Sequence, residues 1–505
     1  MIGAGIAGLV AALELARRGL DVTVVERQLR PGGKLRTVSP GARAIDCGPT
    51  VLTMRHVFEA IFAAAGASLE TLVPMQRASI LARHAWSATE RLDLFADIDR
   101  SADAIAAFSS PAEAMRYRQF CARARGIFET LDATFMQAPR PSMLGLVGAV
   151  GLTQLPALAQ IKSFSTLWTE LGRYFHDPRL RQLFGRYATY CGSSPFEAPA
   201  TLMLIAHAEQ SGVWLVDGGM HRLADALATL AQQRGATFRY GCDAREVLVA
   251  RDGRCGVVLD TGERIDARAV VFNGDTGAIA DGRFGQAIAG AVPRPPRASR
   301  SLSAVTFALE AEASGFPLSR HNVFFSKDYP AEFRDIASGR VPSDPTVYVC
   351  AQDRGDAAPA TSIGPERLFC IVNAPANGDN AVMSAQEIEQ CRERTFRQLE
   401  RCGLSIRTSS VAISITTPSD FEQLFPSTGG ALYGQATHGW RASFQRPGSR
   451  ATLTGLYLAG GSVHPGAGVP MAAISGRLAA AALMADLGST RRSHRVAMPG
   501  GTLTR

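Results

Sequence analysis

The chain of 505 residues has 46% apolar and 19% charged residues, a composition that builds large cores and excludes an intrinsically disordered protein. At this length a single core is exceeded, so two or more domains are expected. The net charge is +8, but lysine occurs only at Lys34, Lys162 and Lys327 and no basic run carries interleaved aromatics, so no nucleic-acid partner is expected.

Residues 2–26 read as turn, helix and strand. A Gly3-Ala4-Gly5-Ile6-Ala7-Gly8 turn leads into apolar residues at helical spacing that stop at Gly19, and a short β-branched run then ends at Glu26. From 51 to 211 the pattern is mostly helical, interrupted by Pro139, Pro141, Pro156 and the loop at 191–195, and predicts an inserted cap. Within it, the apolar stretch 143–152 is about half the ~20 residues a spanning helix needs, and 143–161 is a candidate membrane dock. Residues 214–220 change to a strand and a double-glycine turn. Helix 223–233, paired strands around 252–265 and a strand at 267–272 follow. Strands at 302–309, 346–350 and 368–373 accompany a helix at 385–401, and the chain closes with strand 455–459, a glycine loop and helix 472–487. Nine cysteines without a CxxC or a Cys/His metal spacing predict a reduced, cytoplasmic compartment and no metal site.

The opening turn carries the first chemistry. A pyrophosphate needs backbone N–H donors at close range: Gly3 permits the turn, Gly5 lets the backbone approach, and Gly8 lets helix and strand pack, while Ala4 and Ala7 lie between them and the helix N-terminus adds partial positive charge. Glu26, at the end of the second strand, is spaced to accept from ribose hydroxyls. Beyond it stands RQLRPGGK over 27–34, whose adjacent glycines let the chain lie against a cofactor while Lys34 and Arg36 neutralise phosphate charge. A second glycine loop, GLYLAGGSVHPGAGVP over 455–470, repeats the logic of strand, loop and helix N-terminus, with Gly460 and Val469 at its two ends.

The spacing from Glu26 to Gly32, Gly33 and Lys34 resembles the FAD-binding signature of the amine oxidase and phytoene desaturase superfamily. The segment at 45–50, with Gly48, resembles that superfamily's loop beside the flavin, and the 455–470 run resembles the C-terminal signature of bacterial carotenoid desaturases. The segments 177–195, 199–207, 212–214 and 429–434 narrow the resemblance to the 1-hydroxycarotenoid 3,4-desaturases, also called methoxyneurosporene dehydrogenases. The resemblance implies an FAD-dependent enzyme of α/β class, with a Rossmann-like FAD-binding domain, an inserted α+β substrate domain and a helical cap. It implies oxidation of the C3–C4 bond of an acyclic carotenoid bearing a C1 hydroxyl, with oxygen or a quinone as electron acceptor and peripheral attachment to the cytoplasmic or photosynthetic membrane. In-class alternatives are phytoene-type desaturation and amine or porphyrinogen oxidation. A non-redox isoprenoid-binding protein of the same fold is the remote one, and the intact glycine loops argue against it.

The FAD-binding domain is expected over 1–75, 212–284 and 420–488, the cap over 76–211, a β-rich substrate segment over 285–419 and a disordered basic tail over 489–505. Only Met1 and Ile2 precede Gly3, so the first strand is expected to be truncated, as if the start site lay several codons late. Catalytic candidates are Asp177 and Arg181, four apart and on one face of a helix, and His464 in the second glycine loop. Tyr187, Tyr190 and Trp214 are candidates to line a polyene tunnel, while His207 and His221 read as structural.

Overall fold

The structure is a computed structural model and describes residues 1–139, 165–250, 254–355, 364–407 and 412–493. The stretch 143–161 lies outside these residues, as does most of the basic tail. The strands Thr237–Tyr240, Thr23–Glu26, Val270–Phe272 and Leu456–Leu458 form a parallel sheet, in which Ile2 bridges Val25 on one side and Phe272 on the other. Met1 and Ile2 thus stand where the first strand is expected and supply a single bridging residue to it. The Met1 ammonium donates to the Thr23 carbonyl at 2.8 Å, and burial pulls it down to about 6.

Helix Ile6–Ala16 follows at once and is buried along its whole length. It packs against the 25-residue helix Val469–Ser493, and the approach is so close that a Cβ on Gly476 would lie 2.3 Å from the Ala7 carbonyl oxygen. Residues 469–488 have a mean hydropathy of 1.3, enough by length and composition to cross a membrane, which the sequence reading overlooked. Their apolar residues Ala473, Ile474, Ala479, Ala480 and Leu483 are instead part of the core around Ile6–Ala16.

The second unit is an eight-stranded mixed sheet ordered Ser405–Arg407, Ser303–Ser314, Glu366–Ala374, Val347–Ala351, His321–Phe324, Ile80–Ala85 and Arg91–Phe95, with Ile413–Thr416 also on Ser303–Ser314. Here the structure corrects the mostly helical reading of 51–211: Ile80–Ala85 runs parallel to His321–Phe324, so residues on both sides of the expected 211 and 285 boundaries share one sheet. Short strands with half-polar faces give a weak local signal, and their pairing is set by partners far along the chain. The helices Ile98–Phe108, Pro111–Leu131, Leu167–Tyr174 and Pro178–Gly185 cover this unit, with Phe120, Phe175 and Phe184 at their common centre.

The pleat gives this sheet two different faces. Val305, Phe307, Leu309, Val347, Val349, Leu368, Cys370 and Val372 point into a closed core shared with helix Ala385–Arg401. On the opposite face, Ala304 and Asn373 align in one cross-strand row and Thr306, Ile371 and Tyr348 in the next. These rows face a cavity.

The helix contact at Gly476 supplies a test. Gly476→Val forces helix Val469–Ser493 away from Ala7 and is expected to cost about 1–3 kcal/mol, read as a lowered midpoint in denaturant unfolding. An unchanged midpoint refutes the close-packing account.

Candidate flavin and substrate cavity

One continuous cavity of about 970 Å³ runs from the end of the parallel sheet to the face of the mixed sheet opposite its closed core. At its head the opening turn is held by groups from three other segments. Gly3 N–H donates to Val25 O at 2.8 Å, Gly32 N–H to Ala4 O at 2.8 Å, and Gly8 N–H to the Asn273 side-chain oxygen. Gly3 has φ +92°, a conformation that glycine adopts without strain. A Cβ at Gly8 would stand 2.2 Å from the Gly3 carbonyl oxygen, so the third glycine of the motif is required by packing. Gly5 caps the helix without a side-chain hydrogen bond, and with Gly8 N–H held by Asn273 it is the Ile6 and Ala7 N–H groups and the positive end of the dipole that remain for an anion.

Glu26 is 7% exposed and accepts from Ala4 N–H at 2.7 Å and from Gln28 N–H at 2.8 Å. Gly33 lies against Gly5, and Gly48 packs on the Lys34 carbonyl. Of the predicted cofactor contacts, Gly3, Gly5, Ala7, Glu26, Gly33, Lys34, Gly48, Gly460 and Val469 line the cavity, whereas Ala4 and Gly8 stand behind it.

Lys34 differs in detail from the expected phosphate partner. Its Nζ donates to the Leu432 carbonyl and lies 5.2 Å from the centre of the Phe425 ring, and burial pulls the ammonium below its usual range. Arg36 similarly donates to Thr416 Oγ1 at 3.0 Å and sits over Phe421. Both cations therefore tie the Gly32–Gly33 loop to residues 416–432. Asp275 in the cavity wall is pushed up by burial, with Lys34 and Arg446 opposing that shift. Arg446 holds the second glycine loop by donating to Gly461 O at 2.9 Å and to Gln435 O at 2.7 Å.

The three predicted catalytic residues do not line this cavity. Asp177 caps helix Pro178–Gly185, accepts from Arg179 N–H at 2.9 Å and pairs with the Arg179 guanidinium at 2.7 Å. Its carboxyl is held below the usual range by these bonds against the opposing effect of burial. Arg181 instead donates to the Trp168 carbonyl at 2.8 and 3.0 Å and stacks on the Trp168 ring. The expected Asp177–Arg181 pair is thus corrected: the helical spacing is right, but Arg179 reaches the carboxylate first. His464 is 1% exposed, bonds the Phe135 carbonyl through Nε2 at 3.0 Å, and is pulled down to about 4 by burial. It fastens the loop to residue 135. His221 pairs with Asp46 at 2.9 Å, which raises it.

Sequence reasoning missed Asn273, Asp275, Arg186 and Glu209. The first two sit in a strand-to-helix turn whose Asn-Gly-Asp composition is itself a signal. Glu209 is 6% exposed, lines the cavity, and accepts from Tyr187 OH at 2.6 Å and Tyr190 OH at 2.5 Å. Arg186 lies 5.4 Å from the Tyr190 ring and 5.3 Å from the Tyr348 ring, and the Tyr348 hydroxyl bonds Thr50 at 2.6 Å and His321 at 2.7 Å.

The family model described as flavin containing amine oxidoreductase matches residues 6–484. Hydroxyneurosporene desaturase of Rubrivivax gelatinosus is 54% identical, over 100% of this chain and 96% of the relative. The protein of the same name from Rhodobacter capsulatus is 45% identical, over 96% and 97%. Among solved structures, an oxidoreductase from Methanosarcina mazei superposes with a TM-score of 0.60 at 17% identity, covering 96% of this chain and 99% of that one. Wild-type putrescine oxidase gives 0.58 at 15%, covering 96% and 98%. Two glycine loops facing one cavity at the end of a parallel sheet, in a chain matched along nearly its whole length, place it in the flavin containing amine oxidoreductase family, where it groups with the hydroxyneurosporene desaturases.

Proposed function

We propose that the chain is an FAD-dependent desaturase that converts the C3–C4 single bond of an acyclic 1-hydroxycarotenoid into a double bond. The observation that carries this reading is the continuity of the cavity, whose dinucleotide-type cradle opens directly onto an uncharged sheet face bearing Ala304, Ile371 and Phe369 beside Thr306 and Asn373. The residues fit FAD: the Ile6 and Ala7 end of the helix and the turn at Gly3–Gly8 suit the pyrophosphate, Glu26 suits the ribose, and the Gly460–Val469 loop offers backbone N–H groups to the flavin end.

When bound, FAD supplies the acceptor for a hydride from one carbon of the bond, and the neighbouring carbon releases a proton as the double bond forms. The protein's part is orientation and exclusion of water. Its sheet floor and the phenylalanines of residues 421–425 form an apolar lining that favours a polyene over solvent. Lys34 and Arg36 hold the Gly32–Gly33 loop against that lining and so fix where the cofactor ends and the substrate begins. The same reading gives oxygen or a quinone as the final acceptor, and peripheral attachment to the membrane that dissolves the substrate.

Two outcomes test this. Purified protein loaded with FAD and given 1-hydroxyneurosporene is expected to yield a product two hydrogens lighter, resolved by mass spectrometry. Unchanged hydroxylated substrate beside desaturated phytoene overturns the substrate assignment. For the cradle, Glu26→Ala removes the ribose acceptor and is expected to weaken FAD affinity by about 10- to 100-fold, followed by fluorescence titration. Wild-type affinity in that variant refutes the ribose role.

A further inference from the structure

A tertiary alcohol at the end of a hydrocarbon poses a specific problem. Buried without a partner it costs about 1–3 kcal/mol, and in the substrate proposed above only one methylene separates the carbon bearing it from C3. Whatever receives the hydroxyl must therefore lie beside the flavin, not at the far end of the cavity. The sheet floor offers Ala304, Ile371 and Phe369 as apolar groups and Thr306, Thr346 and Asn373 as neutral ones, so it brings no charged donor or acceptor to the alcohol.

One wall has the required character and position. Arg186, Tyr190 and Glu209 all line the cavity. They adjoin the loop of Gly48–Thr50 through Tyr348, whose hydroxyl bonds Thr50 at 2.6 Å and whose ring lies 5.3 Å from the Arg186 guanidinium. An alcohol donates once and accepts, and the cluster offers both functions. Arg186 carries five N–H donors, and no carboxylate among the described residues lies within ion-pair distance of it; its neighbours are the Tyr190 and Tyr348 rings and the Tyr190 hydroxyl. Glu209 already accepts from Tyr187 and Tyr190, one on each oxygen, and each oxygen retains a second lone pair. Burial pushes this carboxyl above its usual range, against the pull of the two tyrosine hydroxyls and the Arg186 charge. A half-buried guanidinium and a buried carboxyl bridged by tyrosines are costly to maintain for packing alone.

We propose that Arg186 and Glu209, with Tyr190 between them, form the subsite that recognises the tertiary hydroxyl of the carotenoid and seats C3 and C4 against the flavin. This rests on the desaturase reading and adds the determinant of its specificity. Arg186 donates to the alcohol oxygen, the alcohol proton is accepted by Glu209 or Tyr190, and the fixed hydroxyl selects the bond to be oxidised.

The test compares 1-hydroxyneurosporene with neurosporene, its counterpart lacking the hydroxyl, on FAD-loaded wild type, Arg186→Met and Glu209→Gln. Wild type is expected to prefer the hydroxylated carotenoid in kcat/KM. Each variant is expected to lose at least about tenfold on that substrate and to change little on the other, so that the preference collapses. The same pattern is expected in dissociation constants measured on holoenzyme held reduced, which cannot accept a further hydride, and an unchanged flavin spectrum shows that the fold is kept. Equal losses on both carotenoids, or a preserved preference, overturn the subsite. Should wild type leave 1-hydroxyneurosporene untouched in every assay, the desaturase reading itself falls, a result distinct from the first. For a variant that fails to retain flavin, Tyr190→Phe provides the milder change and is held to the same two outcomes.

Discussion

Everything about this cavity depends on two side chains that are missing. Helix Ile6–Ala16 can begin directly at the sheet edge only because Gly8 brings no Cβ against the Gly3 carbonyl. It can lie against helix Val469–Ser493 only because Gly476 brings none against Ala7. The first contact sets the helix relative to the sheet and the second sets it relative to the last helix. Both helices present their N-terminal ends to the cavity, where Ala7 and Val469 are lining residues. Locking the helices together therefore fixes the separation of two glycine loops drawn from opposite ends of the chain. A cofactor that must touch both can then be met by a site already formed, without paying to order it on binding.

What the sequence disclosed follows from how local each requirement is. A dinucleotide turn needs glycines at fixed short spacing and an acid at the end of the next strand, and all of that is written between Gly3 and Glu26. The helix at 385–401 was legible to the residue because a Ser384–Glu387 capping box marks its start. The mixed sheet was legible only in its central strands, since the pairing of Ile80–Ala85 with His321–Phe324 leaves no trace in either segment alone. The Asp177–Arg181 misreading has the same origin. Helical spacing says which residues share a face, but the outcome depended on Arg179, whose short path forks both nitrogens onto the carboxylate. Glu209 was invisible for a further reason: a glutamate on a helical pattern reads as surface until tertiary packing buries it.

Charge is distributed in this cavity with some economy. At the head, Lys34 and Asp275 line the cavity with the charge of Arg446 close behind them, and burial works against the charged form of each. They remain tolerable because each faces a carbonyl, a backbone N–H or an opposite charge, as with Lys34 on Leu432 and Asp275 on Gly277 N–H at 2.9 Å. Along the sheet floor the pleat presents Ala304, Ile371 and Phe369 beside Thr306, Thr346, Tyr348 and Asn373, uncharged groups in place of the charged residues a solvated sheet face ordinarily shows. The apolar groups of that floor favour a polyene over water as the occupant beside them.

The remaining polar groups then acquire meaning from their scarcity. The solved structures that share this architecture at 15% and 17% identity share a frame, and a frame does not choose a substrate. An apolar floor does not choose one either, because methylene-by-methylene discrimination in a hydrophobic slot is weak, whereas a site built to hydrogen-bond a hydroxyl rejects the analogue lacking it by leaving its own buried groups unpaired. Selectivity in such a cavity must reside where unpaired cost can arise. Away from the head of this one, the wall where Arg186 faces two tyrosine rings and Glu209 is held by two tyrosine hydroxyls sets a half-buried cation and a buried carboxyl against the cavity. Filling that space with hydrocarbon alone would strip those charges of water and give nothing back. Filling it with an alcohol restores a donor and an acceptor, and the cost of keeping the charges becomes the source of the selectivity.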